Sequence, residues 1–338
     1  MPPSIPPTRP KPPPAQHTEW QTAPVARQRT RPQRPALLTP TVLFVATVVC
    51  VLLAGVEQVG HTPGEAFPLT LLRGWVFAVP LLSILLAHEF GHYTAARLHG
   101  VPASLPYFIP VPPMLSIIGT MGAVIGMRGR ISTRKALLDI GAAGPLAGMV
   151  VAVPVLAVGL QLSEVKPTGD PGYLQEGQSL LYMLIKYVTV GPIPDGYDVF
   201  LHPVAFAGWV GLFLTMINLL PVGQLDGGHI AYALFGPKQN KLARMVHGAL
   251  PLLFLYNLWA NFQPYVAHGT LSEQWDLPLG SSLFWLVWFG LLFVMRRWSG
   301  RDHPPTDPGE LDSARRIVAV FSLALFVFLF MPTPLAIR

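Results

Sequence analysis

Residues His88-Glu89-Phe90-Gly91-His92 place two imidazoles four positions apart with a carboxylate between them. On a helix, positions i and i+4 share one face, so both histidines can bind one divalent metal such as zinc, and the glutamate can move a proton for a water activated by it. That is the chemistry of metal-assisted hydrolysis. A catalytic zinc takes three protein ligands and leaves a fourth position open, so a third ligand must be found elsewhere. The extended pattern with Gly at 95 and His at 98 is not met by Ala95 and Leu98, and the next downstream glutamate is Glu164. Asp226 is the preferred third ligand and Asp139 the runner-up.

The motif follows Leu69 to Ala87, a stretch apolar enough to span a bilayer but for Arg73. Each charge near a bilayer centre costs about 2.5 to 3.5 kcal/mol, so two histidines and a glutamate there require a compensating partner, and a divalent cation supplies one. The chain as a whole is 51% hydrophobic and 12% charged, with mean hydropathy +0.46 over 338 residues. This composition describes a polytopic membrane protein rather than a soluble domain. One cysteine, Cys50, excludes a disulfide framework and a cysteine metal cluster. The net charge of +6 is spread between apolar segments instead of forming one basic face, which argues against nucleic-acid binding.

Residues 1–36 hold eleven prolines, six basic residues and one acidic residue, the composition of a disordered tail. No secretory signal precedes the first apolar run, and an organelle transit peptide is a weaker reading of the same arginine-rich segment. Membrane segments are expected near 37–55, 69–96, 136–160, 203–221, 245–262, 281–296 and 316–333. With the tail in the cytoplasm, nineteen of twenty-three Lys and Arg fall on that side, as the positive-inside rule requires. The loop 161–202 on the other side carries five acidic residues. Leu180 to Val190, short and interrupted by Lys186, reads as an interfacial helix. The fold class is therefore an all-α polytopic membrane protein: a transmembrane domain over 37–338, about seven transmembrane helices, and a re-entrant hairpin near the active site. The hairpin is expected in 105–127, an apolar stretch broken by prolines and glycines.

In this topology the spans bearing His88 and Asn218 run in the same direction, which brings Asp226 to the depth of the histidines. Ala143-Gly144-Pro145-Leu146-Ala147-Gly148 offers small residues for close helix packing, a structural role. His229 either steadies the metal ligands or is an ordinary core or solvent-facing histidine. His303 has no expected metal role. Trp75, Trp209, Trp259, Trp285, Trp288 and Trp298 read mostly as aromatic-belt residues at span ends.

The H-E-F-G-H motif is followed about 130 residues later by Asn218-x-x-Pro221-x-x-x-Leu225-Asp226-Gly227. With the intervening Gly119-Thr120-Met121-Gly122-Ala123 and Ala143-to-Gly148 segments, the chain resembles the site-2 protease family of intramembrane zinc metalloproteases over roughly residues 69–235. The resemblance implies a Zn2+ cofactor held by His88, His92 and Asp226, Glu89 as general base, and Asn218 positioning substrate or stabilising the oxyanion. It also implies membrane-anchored protein substrates, such as single-span regulators, cut within the lipid bilayer. The hairpin around Gly119 to Met127 would present an edge strand to the unwound substrate, its glycines permitting close backbone approach. A bacterial cell membrane with a cytoplasmic N-terminus is the expected setting. A catalytically silent scaffold or chaperone and a transporter are the competing readings.

Overall fold

The computed structural model describes residues 37–60, 66–127, 131–168, 174–268, 279–280, 282–300, 302–307 and 309–337. The proline-rich stretch 1–36 expected to be a tail lies outside them. The helices are α1 (Leu38–Val59), α2 (Phe67–Arg73), α3 (Trp75–Leu98), α4 (Arg134–Gln161), α5 (Leu180–Val190), α6 (Pro203–Asn218), α7 (Asp226–Phe235), α8 (Gln239–His268), α9 (Phe284–Ser299) and α10 (Ser313–Leu329). Short strands are β1 (Tyr107–Pro110), β2 (Thr120–Val124), β3 (Glu164–Pro167), β4 (Leu174–Glu176), β5 (Tyr197–Phe200) and β6 (Leu335–Ile337).

Among the described residues three helices, α1, α3 and α4, are long and apolar enough to cross a membrane. The other four expected segments are also helical, on α6, α8, α9 and α10. The expected span beginning at 69 is interrupted, however. Gly74 lies between α2 and α3 and packs its α-carbon on α1, where a Cβ would lie 2.1 Å from the Leu52 carbonyl oxygen. The all-α expectation also needs amending, since the described residues include three two-stranded antiparallel sheets, β1–β2, β3–β5 and β4–β6. Two of them build a cap from the loop 161–202 and the chain's last strand. Within this cap Lys186 donates to Asp198 at 2.8 Å and Tyr182 donates to Glu176 at 2.6 Å. Burial alone would raise the Asp198 carboxyl, but the Lys186 hydrogen bond and the Val199 N–H outweigh it and hold the group below its usual range.

α4 is the central helix, starting where the Thr133 hydroxyl accepts from the Ala136 N–H. It meets α6 through missing side chains. A Cβ on Gly159 would sit 2.1 Å from the Ala205 nitrogen, and one on Gly208 2.6 Å from the Leu156 α-carbon. Small residues allow backbones to approach where apolar surroundings supply little hydrophobic drive for packing. On α6, Phe206, Trp209 and Phe213 stack in series with Phe77 of α3, at centroid distances of 5.5 to 5.7 Å. Trp209 and Trp285 are thus core residues rather than belt residues, their indole N–H groups donating to the carbonyls of Gly177 and Pro332. Trp75, Trp259 and Trp298 are exposed, as a belt requires.

Between α9 and α10 the chain crosses over α7 as a strap. Asp307 N–H donates to Ser132 O at 2.6 Å, and His303 N–H to Asn240 Oδ1 at 3.0 Å. The His303 ring is buried and stacks on Tyr232, with Nδ1–H directed at Pro304 O (2.8 Å). Nε2 of His303 is consequently the acceptor for Nδ1–H of His229 at 2.8 Å, a geometry that requires the His303 ring to be neutral. Burial, reinforced by its partner, pushes His229 down to about 4, and burial lowers His303 also. An unfolded histidine takes its proton first, near 6.5, so this pair's contribution is complete above that pH and declines as pH falls toward 4. We expect the melting temperature of the purified chain to fall over this window. His303→Gln should flatten that part of the profile while lowering the plateau at neutral pH. An unaltered acid limb in the variant would show that the pair does not govern it.

Candidate metal centre

α3 carries both motif histidines on one face. His88, Glu89 and His92 are all buried, with exposures of 6%, 6% and 8%. The Nδ1–H of His92 donates to Ile140 O of α4 at 2.7 Å, which fixes the ring and leaves Nε2 with its lone pair free. That atom lies 3.1 Å from Nε2 of His88 and 3.3 Å from Oδ2 of Asp226. Nε2 of His88 and Oδ2 of Asp226 are 3.4 Å apart. Three ligand atoms at Zn–N and Zn–O lengths around a tetrahedral zinc are separated by about 3.3 Å, so the observed triangle has the size of such a site. With both rings neutral, three lone-pair-bearing atoms would face one another at these distances, and a cation removes the repulsion. His88, His92 and Asp226 form the single group of three or more metal-binding side chains among the described residues.

Glycines hold this geometry together. Gly91, inside the motif, abuts the Ala143 carbonyl, where a Cβ would approach to 2.4 Å. A Cβ on Gly144 would sit 2.1 Å from His92 Nε2, and one on Gly148 3.3 Å from the His88 Cβ. The small-residue run of α4 is therefore the wall against which the imidazoles lie, beyond the general packing role read from sequence. Asp226 opens α7, where the first turn of a helix favours a carboxylate. The loop from α6 folds back over that turn so tightly that a Cβ on Gly227 would lie 1.9 Å from Leu219 O, and one on Gly228 2.4 Å from Gly223 O. Asn218, the last residue of α6, brings Nδ2 to 3.4 Å from His88 Nε2.

All five sequence-predicted site residues thus belong to one neighbourhood: Glu89 within the α3 motif, and the other four in measured proximity. Asp139 does not join them. Its carboxylate accepts two bonds from Arg315 Nε and one from Nη2 (2.7–3.0 Å), and another from His99 Nε2 at 2.7 Å. His229 makes its hydrogen bond to His303, away from the ligand triangle. The Ile140 carbonyl and the Gly144 and Gly148 wall were missed as parts of the site. The only available signal was the small-residue run, which announces a close approach but not what approaches.

The sequence of residues 76–255 matches the family model for peptidase family M50. The chain belongs to peptidase family M50. Zinc is this family's metal, in accord with the nitrogen and oxygen donors assembled here. Among curated M50 relatives, the chain is 31% identical over 307 residues to the probable zinc metalloprotease EGY2, chloroplastic, of Oryza sativa subsp. japonica, an alignment covering 85% of this chain and 54% of that protein. It is 41% identical over 165 residues to the probable zinc metalloprotease EGY1, chloroplastic, of Arabidopsis thaliana, covering 47% and 29% respectively. The chain spans about half the length of the EGY2 relatives it matches. Membrane association agrees with the M50 family and with the three long apolar helices. These relatives are plant and chloroplastic, and nothing in them supports the bacterial membrane expected from sequence.

The tightest of these contacts yields a test. Gly144→Ala should displace the His92 ring and weaken zinc binding about 10- to 100-fold, the range seen when a ligand's support is lost. Gly148→Ala, with more room, should have a smaller effect. Competition with a fluorescent zinc chelator measures both, and circular dichroism checks that helicity is retained. Equal, wild-type affinities in the two variants would remove the glycine wall from the site.

Proposed function

We infer that this chain is an intramembrane zinc metalloprotease of the site-2 type, hydrolysing peptide bonds in or near transmembrane segments of membrane-anchored proteins. The observation that carries this reading is the triangle of His88, His92 and Asp226, built from two motifs about 130 residues apart with edges of 3.1 to 3.4 Å. These three residues would hold the zinc, which when bound supplies Lewis acidity toward the scissile carbonyl and the attacking water. Glu89, buried beside His88, would take a proton from that water on its carboxylate and return it to the leaving amine. The Asn218 amide, a donor at the edge of the triangle, would orient the substrate carbonyl.

A seven-span topology with the N-terminus in the cytoplasm is part of this proposal. It is supported by the lysine and arginine distribution and by helices at all seven expected segments. α5 adds support as an interfacial helix, because its polar logic is inverted. Lys186 is buried against Asp198, while Leu180, Met183, Leu184, Tyr187 and Val188 form an exposed apolar stripe suited to lipid. Single-span regulators are the proposed substrates. They would pair as a strand with β2, whose sole partner among the described strands is β1. The hairpin's glycines differ in purpose. Gly119 is needed against Cys50 O of α1 (a Cβ would lie at 2.5 Å) and Gly126 packs on Ser104, whereas Gly122, at φ +91°, faces open space. Gly122 is therefore the residue that would allow a substrate backbone to approach. The intact metal-binding set also favours an enzyme over a silent scaffold.

Glu89→Gln should reduce cleavage of a model transmembrane substrate at least about 100-fold while retaining zinc. Asp226→Ala should lose zinc and activity together, and Asp139→Asn should keep the metal. Metal analysis alongside a reconstituted cleavage assay reads all three. Zinc lost from Glu89→Gln, or kept by Asp226→Ala, would overturn the role assignments.

In a Cys50→Ala background, cysteine at Ala123 or Val124 should cross-link to cysteines near the cleavage site of substrate trapped on the Glu89→Gln enzyme. Cross-links confined to other positions around the metal would make the hairpin a structural plug.

A further inference from the structure

A cleft of about 450 Å³ lies between the first turn of α4, the end of α7 and the first turns of α10, remote in role from the metal ligands. Arg134 and Arg316 stand at it, together with the apolar side chains of Leu234, Phe235, Leu311 and Val320. We propose that it is a binding site for the phosphate headgroup of an anionic membrane lipid.

The charge argument begins with Arg134. Its Nε and Nη2 donate to the carbonyls of Ala233 and Leu234 at 2.9 and 3.1 Å, and Nη1 to Gly309 O at 3.4 Å. All three partners are neutral, and no carboxylate pairs with Arg134 among the described residues. A guanidinium has five N–H groups, so two remain, one on Nη1 and one on Nη2, as donors for a phosphate. Arg316 adds a second positive charge, partnered at 3.4 Å by Glu310 Oε2, an exposed contact that solvent screens heavily. The lining therefore carries two positive charges against one negative.

The apolar walls favour a lipid over a free anion. Val320 belongs both to the cleft and to an exposed stripe on α10 with Ile317 and Phe321. Phe235 is likewise exposed. The cleft thus sits where the basic start of α10 gives way to its lipid-facing apolar surface, the level at which headgroup meets acyl chain. Inorganic phosphate would satisfy the arginines and leave these walls unused. The site also touches the fold's mechanics. Arg134 holds the last turn of α7, whose first residue is Asp226, so a headgroup on Arg134 would brace that helix.

The test uses the full chain in detergent, with native mass spectrometry and thermal melting. Phosphatidylglycerol and phosphatidylcholine of identical acyl chains are compared, with inorganic phosphate at matched concentration as a third arm. The wild type should retain phosphatidylglycerol at least about fivefold over phosphatidylcholine and melt higher in its presence, since a ligand of the folded state raises stability. Arg316→Gln, which removes charge, and Val320→Trp, which fills the cleft, should each erase that preference. Arg134→Gln is avoided because it would also release α7. Should Val320→Trp fail to fold, Arg316→Gln alone decides. Equal retention of the two lipids, an undiminished preference in folded variants, or a melting shift from inorganic phosphate equal to that from phosphatidylglycerol would each overturn the proposal.

Discussion

The His92 imidazole occupies space that any side chain at position 144 would fill, and this one exclusion sets the distance between α3 and α4. Gly91 against Ala143 O repeats the constraint at the adjacent positions, and Gly148 against His88 repeats it one turn along both helices. At that separation the Ile140 carbonyl reaches His92 Nδ1, and the ring presents Nε2 to His88 and Asp226. Close packing and metal chemistry are therefore the same requirement here. The three ligand atoms would repel one another without positive charge between them, so occupancy of the site and stability of the helix pair are thermodynamically linked.

The third ligand reaches this pair by a different device. Asp226 is presented by a loop that can fold over α7 only because residues 227 and 228 have no side chains. What keeps α7 in place comes from outside the two motifs: Arg134 at its far end, and the strap 302–307 through His303 and Asp307. Arg315 anchors α10 on Asp139, which explains why an aspartate that competes as a ligand on sequence grounds is committed elsewhere. Its carboxylate is already filled by a guanidinium and by His99. The buried charges at the metal and the braces around it thus use separate sets of acids, which prevents a structural arginine from neutralising a ligand.

The legible parts of the molecule were those written in local spacing. Histidines four apart, an aspartate opening a Gly-rich turn, apolar runs of helical length and a Pro/Gly-broken hairpin all lie within a few turns of chain. The illegible parts were contacts between distant segments. Nothing near Gly144 in sequence states that an imidazole fills its missing side chain. Trp209 and Trp285 looked like belt residues because hydropathy cannot tell lipid from protein interior as the surroundings of an indole. Their N–H groups settle on the carbonyls of Gly177 and Pro332, partners 32 and 47 residues away. The β3–β5 and β4–β6 pairings were hidden for the same reason, being pairs of short strands whose partners are far apart in the chain. The expected span from 69 is interrupted at Gly74, whose close contact with α1 a hydropathy window does not register.

Where the site lies along the helices bears on how it can work. His92 is six residues from the end of α3 at Leu98, about 9 Å at a helical rise of 1.5 Å per residue. Asn218 ends α6 and Asp226 begins α7, so the ligands meet where three helix termini and an irregular loop converge. Regular helix satisfies its own backbone and leaves nothing to offer an incoming peptide, whereas helix termini and loops retain donors and acceptors that the helix itself does not pair. A helical substrate that unwinds loses its internal hydrogen bonds and must replace them at once in a low-dielectric setting. Under the proposed function, the helix ends concentrated beside the ligand residues would provide those replacements and a route for water in the same place. A site at the middle of α3, enclosed by continuous helix, would provide neither.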